Sequence, residues 1–193
     1  MIASICLDDG TTEQYDKAIP ILEEYGINAT WSLCYDLIGG PWRYGSPGTN
    51  LISWDEVEII KKRGDEIADH TPNHISPLET DDPILLEKEY TSNPFNASTF
   101  IYPRGEVCLK DKIMEVYQCA RSCRLGTIKR GEYFDPYDLP IAYPNELEIA
   151  PGWDWGIFYY HHNVDVSLPP ILKLFEKEGI EVMVIKDALQ EIL

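Results

Sequence analysis

Two acids and two histidines carry the chemistry this sequence can offer. Asp8 and Asp9 are adjacent, close the first apolar stretch (Met1 to Leu7) and are followed at once by Gly10. Far along the chain, His70 and His74 stand four apart in Asp69-His70-Thr71-Pro72-Asn73-His74. One carboxylate with two imidazoles suits a borderline divalent ion, Zn²⁺ first and Co²⁺, Mn²⁺ or Ni²⁺ as alternatives. Such a set leaves coordination positions open for water and substrate. The second carboxylate is then free to act as a base. Two blander readings compete: an acid pair can cap the first helix, whose exposed amides attract carboxylate, and a histidine can be a satisfied packing residue.

Both acids fall where a strand should meet its following loop, the edge at which α/β folds place their sites. Consecutive strand side chains point to opposite faces. For Asp8 and Asp9 to serve one site, regular strand geometry must therefore end near them, and Gly10 gives the backbone that freedom. In the second segment Pro72 biases Thr71 toward extended geometry, so Thr71 is expected as an N-cap with Pro72 at the first helical position. His70 then ends a strand, His74 sits in the first turn, and the rings converge. The other two histidines, His161-His162, follow the apolar stretch Gly156 to Tyr160. One should face the strand-end rim, where an imidazole is a candidate general acid, and one should face away.

The elements that must position these groups alternate along the chain. Strands are expected at Ile2 to Leu7, Asn28 to Leu33, Glu66 to Asp69, Thr99 to Tyr102, Cys119 to Arg124, Gly156 to Tyr160 and Glu181 to Ile185. Helices are expected at Glu13 to Tyr25 (closed by Gly26), Trp54 to Lys62, Leu109 to Gln118, Pro169 to Lys177 (closed by Gly179) and Asp187 to Leu193. Ser53 with Glu56 three residues on forms a capping box for the second helix, which Gly64 ends. Strand–helix alternation of this kind favours a parallel α/β architecture, an open doubly wound sheet or a barrel. Gly39 to Asn50 and Arg130 to Pro151, rich in Gly, Pro and Tyr, read as long surface loops of the kind that border sites.

Composition narrows the partners. The 193 residues suit one core, hence one domain over 1–193. Sixteen Lys and Arg against thirty-three Asp and Glu leave a net charge of −17. Nucleic acid and anionic lipid both need a basic patch, so neither is expected as a partner. No apolar run suggests a membrane span, and only seven residues precede the acid pair, so a cytoplasmic protein is expected. The five cysteines contain no C-x-x-C and read as free thiols. The tryptophans Trp42, Trp153 and Trp155 could form a sugar-stacking rim, with Trp153 and Trp155, just before the late strand, the better placed.

These residues reach a resemblance. Cys6-Leu7-Asp8-Asp9-Gly10 resembles the T-F-D-D-G motif of the polysaccharide deacetylase family, and Asn28-Ala29-Thr30-Trp31 its A-T-F-F strand. Gly64-Asp65-Glu66-Ile67-Ala68-Asp69-His70-Thr71, continuing to His74, is similar to its G-x-E-I-x-x-H-[ST]-x-x-H signature. Phe100 to Gly105 resembles F-x-[YP]-P-[YR]-G, and Tyr160-His161-His162-Asn163-Val164 its late histidine motif. The resemblance implies an irregular (β/α) barrel of about seven parallel strands with the site at the C-terminal rim. It implies Asp8 as base, Asp9, His70 and His74 as metal ligands, and His162 as acid. Arg121 looks like the arginine that orients the base in part of the family. Arg104, through its main-chain N–H, would help bind the oxyanion, with Tyr102 and Trp155 on the substrate side.

Two departures stand out: Ile101 replaces an arginine common in the family, and Arg104 replaces the usual tyrosine. A partial match, Asp135-Pro136-Tyr137-Asp138-Leu139, stands for its D-x-x-D-W motif. The activity so implied is metal-assisted removal of an acetyl group from an N-acetylated saccharide. A related amidohydrolase acting on a small amide, and a carbohydrate-binding barrel without catalysis, are the alternatives.

Overall fold

The computed structural model describes residues 1–142 and 152–193. Its strands are β1 (Ile2–Asp8), β2 (Thr30–Leu33), β3 (Glu66–Asp69), β4 (Thr99–Ile101), β5 (Cys119–Leu125), β6 (Leu139–Ile141), β7 (Trp155–Tyr160) and β8 (Glu181–Val182). The helices are α1 (Thr12–Tyr25), α2 (Trp54–Arg63), α3 (Pro83–Thr91), α4 (Lys110–Val116), α5 (Val164–Glu178) and α6 (Ile185–Ile192). Strands run in the order β6-β5-β4-β3-β2-β1-β7, all pairings parallel, and the short β8 pairs with β1. The Ala142 N–H donates to the Ile157 carbonyl at 2.7 Å, so the two ends of the sheet meet and the barrel nearly closes. This is the expected irregular barrel.

Every residue of β1 is buried, as a strand covered on both faces in a parallel sheet requires. Alternation then sorts its side chains. Ala3, Ile5 and Leu7 pack outward in a core with Ala18 and Leu22 of α1 and with Leu168, Leu172 and Phe175 of α5. Ile2 and Cys6 turn the other way, into a cluster with Ile101, Leu139, Trp155 and Ile157. Ile185, Ala188, Leu189 and Ile192 of α6 complete that cluster. Asp8, two residues after Cys6, shares its face. The strand therefore delivers its terminal carboxylate to the inside of the barrel mouth.

Local signals explain most boundaries. Thr11 caps α1 by accepting the Gln14 N–H at 3.2 Å, so neither acid of the pair serves as that cap. Gly26 closes α1 in the left-handed conformation. Ser53 and Glu56 form the full capping box of α2.

Elsewhere the structure departs from expectation. The segment expected as a loop from Arg130 onward contains β6, while residues 143–151 of it lie outside the described residues. Helix α3 was not foreseen, although Asp82 caps it and Pro83 opens it. Helix α5 starts at Val164, ahead of the expected Pro169, so both prolines lie within it. The carbonyls they leave unpaired, those of Asp165 and Val166, belong to exposed residues where water can satisfy them. Strand β8 is short because Ile185 belongs to α6. Among the described residues, no helix is long and apolar enough to cross a membrane.

Candidate active site and metal centre

At the C-terminal rim the strand ends converge on a cavity of about 420 Å³. Asp8, Asp9, His70, His74, Tyr102, Arg104, His161 and His162 all line it. The two acids face one site because the strand stops at Asp8: Asp9 has φ 77° and Gly10 φ 69°. Left-handed geometry at a non-glycine residue is uncommon, though aspartate enters it more readily than most. Gly10 is required for space as well. A Cβ there would lie 2.3 Å from Leu33 Cδ2. Gly10→Ala is expected to cost stability by forcing that contact and to weaken divalent-metal affinity by displacing Asp9. Thermal unfolding and Zn²⁺ titration of the variant check both; a variant matching the parent in each would contradict this role.

Asp9, His70 and His74 bring one ligand atom each to within 4.8 Å of one another. The Nε2 atoms of His70 and His74 lie 3.5 Å and 3.7 Å from Asp9 Oδ1. That oxygen is buried and accepts no hydrogen bond among the described residues, an orphaned acceptor aimed between two imidazoles. A divalent ion at this point would supply the cation such an oxygen needs, so the donor set fits one. His70 Nδ1 lies 2.7 Å from the Ile101 carbonyl, which fixes its ring and leaves Nε2 for the ion. Burial, reinforced by the neighbouring His70, pushes the His74 imidazole down to about 3. His74 is therefore neutral at ordinary pH, the form a metal ligand requires.

His74 does not occupy a helical turn. Thr71 has φ 59° and His74 φ 55°, and the segment between them is a tight loop. Thr71 is thus not an N-cap; its Oγ1 accepts the Ile75 N–H at 3.1 Å and closes the loop on itself. The preceding Asp69 is fully buried, beside the main-chain N–H groups of Thr71 and His70 and the Tyr117 hydroxyl, which favour its ionised form. Burial pushes its carboxyl up to about 8.

Asp8 stands apart from the three ligands and is wrapped by donors. Its Oδ1 accepts the Cys6 thiol at 3.2 Å and the Ser32 hydroxyl at 3.0 Å; Oδ2 accepts Arg121 Nη2 at 2.5 Å. Burial alone would raise this carboxyl. The Arg121 guanidinium, then His161 and His70, outweigh burial and hold it well below the usual carboxylate range. Arg121 is itself buried, under the Tyr159 ring. The structure thus joins Asp8 and Arg121 across 113 residues of sequence. Ile101 is buried and pairs in register with Arg121 on the neighbouring strand.

The late histidines sort in the opposite sense to the motif match. His161 Nε2 lies 3.8 Å from Asp8 Oδ2 and 3.9 Å from Asp9 Oδ2. His162 is exposed at the lip of the cavity. Alternation along β7 explains this: Trp155, Ile157 and Tyr159 face inward, and His161 continues their row.

The tryptophan expectations fail for the same geometric reason. Trp155 begins β7, in register with Ile2 at the far end of the barrel, and its Nε1 donates to Ser4 Oγ at 2.9 Å. It is fully buried and does not line the cavity. Trp153 is packed in the outer core. The ring that does reach the site is Trp42, from the loop at Gly39 to Asn50, edge-on to His74 at 5.1 Å. Tyr44 lies beside it, 4.7 Å from the same imidazole.

Arg104 has φ 60° within a one-turn helix, Pro103–Gly105, and its guanidinium sits over Tyr44 at 5.0 Å from the ring centre. Tyr102 is buried and donates through its hydroxyl to the Tyr137 carbonyl at 3.2 Å. All five cysteines are free thiols, and Cys123 lies on the cavity wall.

Comparison with known proteins agrees with this geometry. A family model described as polysaccharide deacetylase matches residues 2–106. A putative polysaccharide deacetylase of Bacillus subtilis (strain 168), YxkH, is 25% identical over 164 residues, which are 80% of this chain and 53% of that protein. The chain thus spans about half the length of that relative. Among solved structures, a T48 deacetylase with substrate superposes with TM-score 0.67 at 13% identity, over 100% of this chain and 92% of the other. A family 4 carbohydrate esterase from Bacillus anthracis gives 0.58 at 16%, over 97% and 82%. At these identities the structures speak for the fold.

Proposed function

This chain belongs to the polysaccharide deacetylase family, and on that premise we propose that it is a metal-dependent hydrolase removing acetyl groups from an N-acetylated saccharide. The observation that carries the proposal is the division of labour between two adjacent acids. Asp9 shares its orphaned oxygen with His70 and His74, while Asp8 is held clear of them by Arg121. A purely structural ion pair would need no such partition.

When bound by Asp9, His70 and His74, a divalent ion, Zn²⁺ first among those the donor set suits, supplies Lewis-acid chemistry for hydrolysis at neutral pH. Asp8, kept ionised by Arg121, takes the proton of the attacking water. The main-chain N–H of Arg104 donates to the oxygen on which negative charge develops. His161 protonates the departing amine, which is otherwise a poor leaving group. We assign this role to His161 over its neighbour because its ring is the one that faces both acids. Trp42 and Tyr44 wall the cavity beside His74 and offer ring faces and edges to a sugar.

Acetate release from N-acetylglucosamine oligomers, measured with and without a chelator, tests the reading. Hydrolysis that stops on chelation and returns with Zn²⁺ supports it. Turnover of small amides alone would replace the saccharide substrate. Saccharide binding that is indifferent to chelator and gives no acetate would replace the enzyme with a binding barrel.

A further inference from the structure

His70 and His74 belong to one constellation but are held in different ways. The His70 ring is fixed through its own Nδ1 at the Ile101 carbonyl. His74 Nδ1 is buried with no hydrogen-bond partner among the described residues. The direction of that second ring must therefore come from the backbone that carries it and from the Trp42 and Tyr44 rings beside it. That backbone is left-handed at Thr71 and again at His74. Such conformations persist only where the surrounding structure over-determines them.

Glu89 supplies the hold. It lies on α3, is buried, and commits both carboxylate oxygens to Asn73, the residue immediately before His74. Oε2 accepts the Asn73 main-chain N–H at 2.9 Å, and Oε1 accepts its side-chain Nδ2 at 2.9 Å. Asp36 adds a second acceptor for Nδ2 at 3.1 Å, and Arg43 donates to the Asn73 carbonyl. Both of those are exposed, so Glu89 is the grip that water competes with least. Burying a carboxylate is costly unless charge-assisted hydrogen bonds replace its hydration. Here both replacements come from the metal-ligand loop.

We propose that Glu89 is a positioning residue for His74: acting through Asn73, it sets the affinity of the Asp9-His70-His74 constellation for a divalent cation. The inference rests on the metal reading of that constellation. Removing an outer partner of a metal ligand typically weakens metal binding 10–100-fold, and an effect of about that size is expected here.

The test titrates the metal-free full chain with Zn²⁺ against a chromophoric chelator. The forms compared are the parent, Glu89→Gln, Asn73→Ala, the double variant, and Ser53→Ala. Glutamine keeps the size of Glu89 but sets an NH₂ against one of the Asn73 donors. Ser53→Ala removes the α2 cap, whose side-chain bonds are with Glu56 and not with the Asn73 loop, and controls for general loosening. Each single variant is expected to bind Zn²⁺ about 10–100-fold more weakly, and the double variant no more weakly than the worse single. Ser53→Ala should match the parent, and KM for the saccharide at saturating Zn²⁺ should not move. Should Glu89→Gln fail to fold, Asn73→Ala, at a half-buried position, carries the comparison. Parent-like affinity in the variants of both residues overturns the role of Glu89 and leaves the metal site standing. Equal weakening by Ser53→Ala also overturns it. A parent that binds no Zn²⁺ overturns this role and the metal reading together.

Discussion

Asp8→Asn is expected to slow acetate release about 10²–10⁴-fold, the usual contribution of a positioned base, with the metal still bound. Asparagine keeps the shape and one acceptor oxygen of the side chain, so the contacts from Cys6 and Ser32 can survive. What it loses is the ability to accept a proton, together with the charge that pairs with Arg121. The environment of Asp8 gives this role a specific character. The donors around it, the Arg121 guanidinium first and then His161 and His70, hold the carboxyl well below its usual range, so it is ionised at neutral pH. The same donors make it a weak base. A weak base would suffice if a divalent ion held by Asp9, His70 and His74 supplied Lewis acidity to the reaction. Turnover and metal content measured on the same preparation decide the point. Unchanged turnover with metal retained removes Asp8 from the role, and loss of the metal would make it a ligand instead.

Arg121→Met is expected to destabilise the metal-free protein by about 3–5 kcal/mol, the range for breaking a buried ion pair on one side. The guanidinium and Asp8 are both buried, so the variant leaves an uncompensated charge inside the barrel mouth. The double variant Asp8→Asn/Arg121→Met should recover much of the loss, since the stranded charge is gone.

The pH dependence follows from the sign of the shift. In the parent, the folded Asp8 carboxyl lies below its unfolded value near 3.8, so the pairing adds stability above about pH 4. That contribution is lost as pH falls through the depressed folded value. In Arg121→Met, burial becomes the dominant influence and acts in the opposite direction. The deficit should then be largest near neutrality and shrink as acid protonates Asp8. Urea denaturation at neutral and mildly acidic pH checks both magnitude and trend. A loss under about 1 kcal/mol, the value of an exposed pair, would contradict the buried-pair account.

How much of this could be read from residues alone varies with the range of the interaction. Local signals carried far. The capping box at Ser53 and Glu56, the stop at Gly26 and the apolar run into Asp8 each fix an element from within a few residues. The acid pair and His70 followed from strand ends, and their shared face from the freedom expected around Gly10, although Asp9 itself also adopts the left-handed turn. His161 was legible too: the row Trp155, Ile157, Tyr159 points to it, but the motif match favoured His162.

Trp155 was misplaced because nearness to a site residue in sequence is not nearness in space. Its own strand carries it to the other end of the barrel. Other features depend on long-range contacts that no local pattern encodes. Helix α3 places Ile84, Leu85 and Leu86 in a row, with Ile84 exposed, so it lacks an amphipathic stripe. The loop at Thr71 suits a helix start as well as a tight turn, and the bonds Asn73 makes to Glu89, on that unforeseen helix, lie outside any local pattern. Trp42 reaches His74 only because its loop folds over the rim.

The most direct measurement counts divalent ions per chain in the purified protein and in Asp9→Asn, His70→Ala and His74→Ala. One ion per parent chain, absent from each variant, is the expected result, together with acetate release that tracks the ion. A parent without a bound ion, or variants that retain one, would contradict a metal centre built from these three side chains.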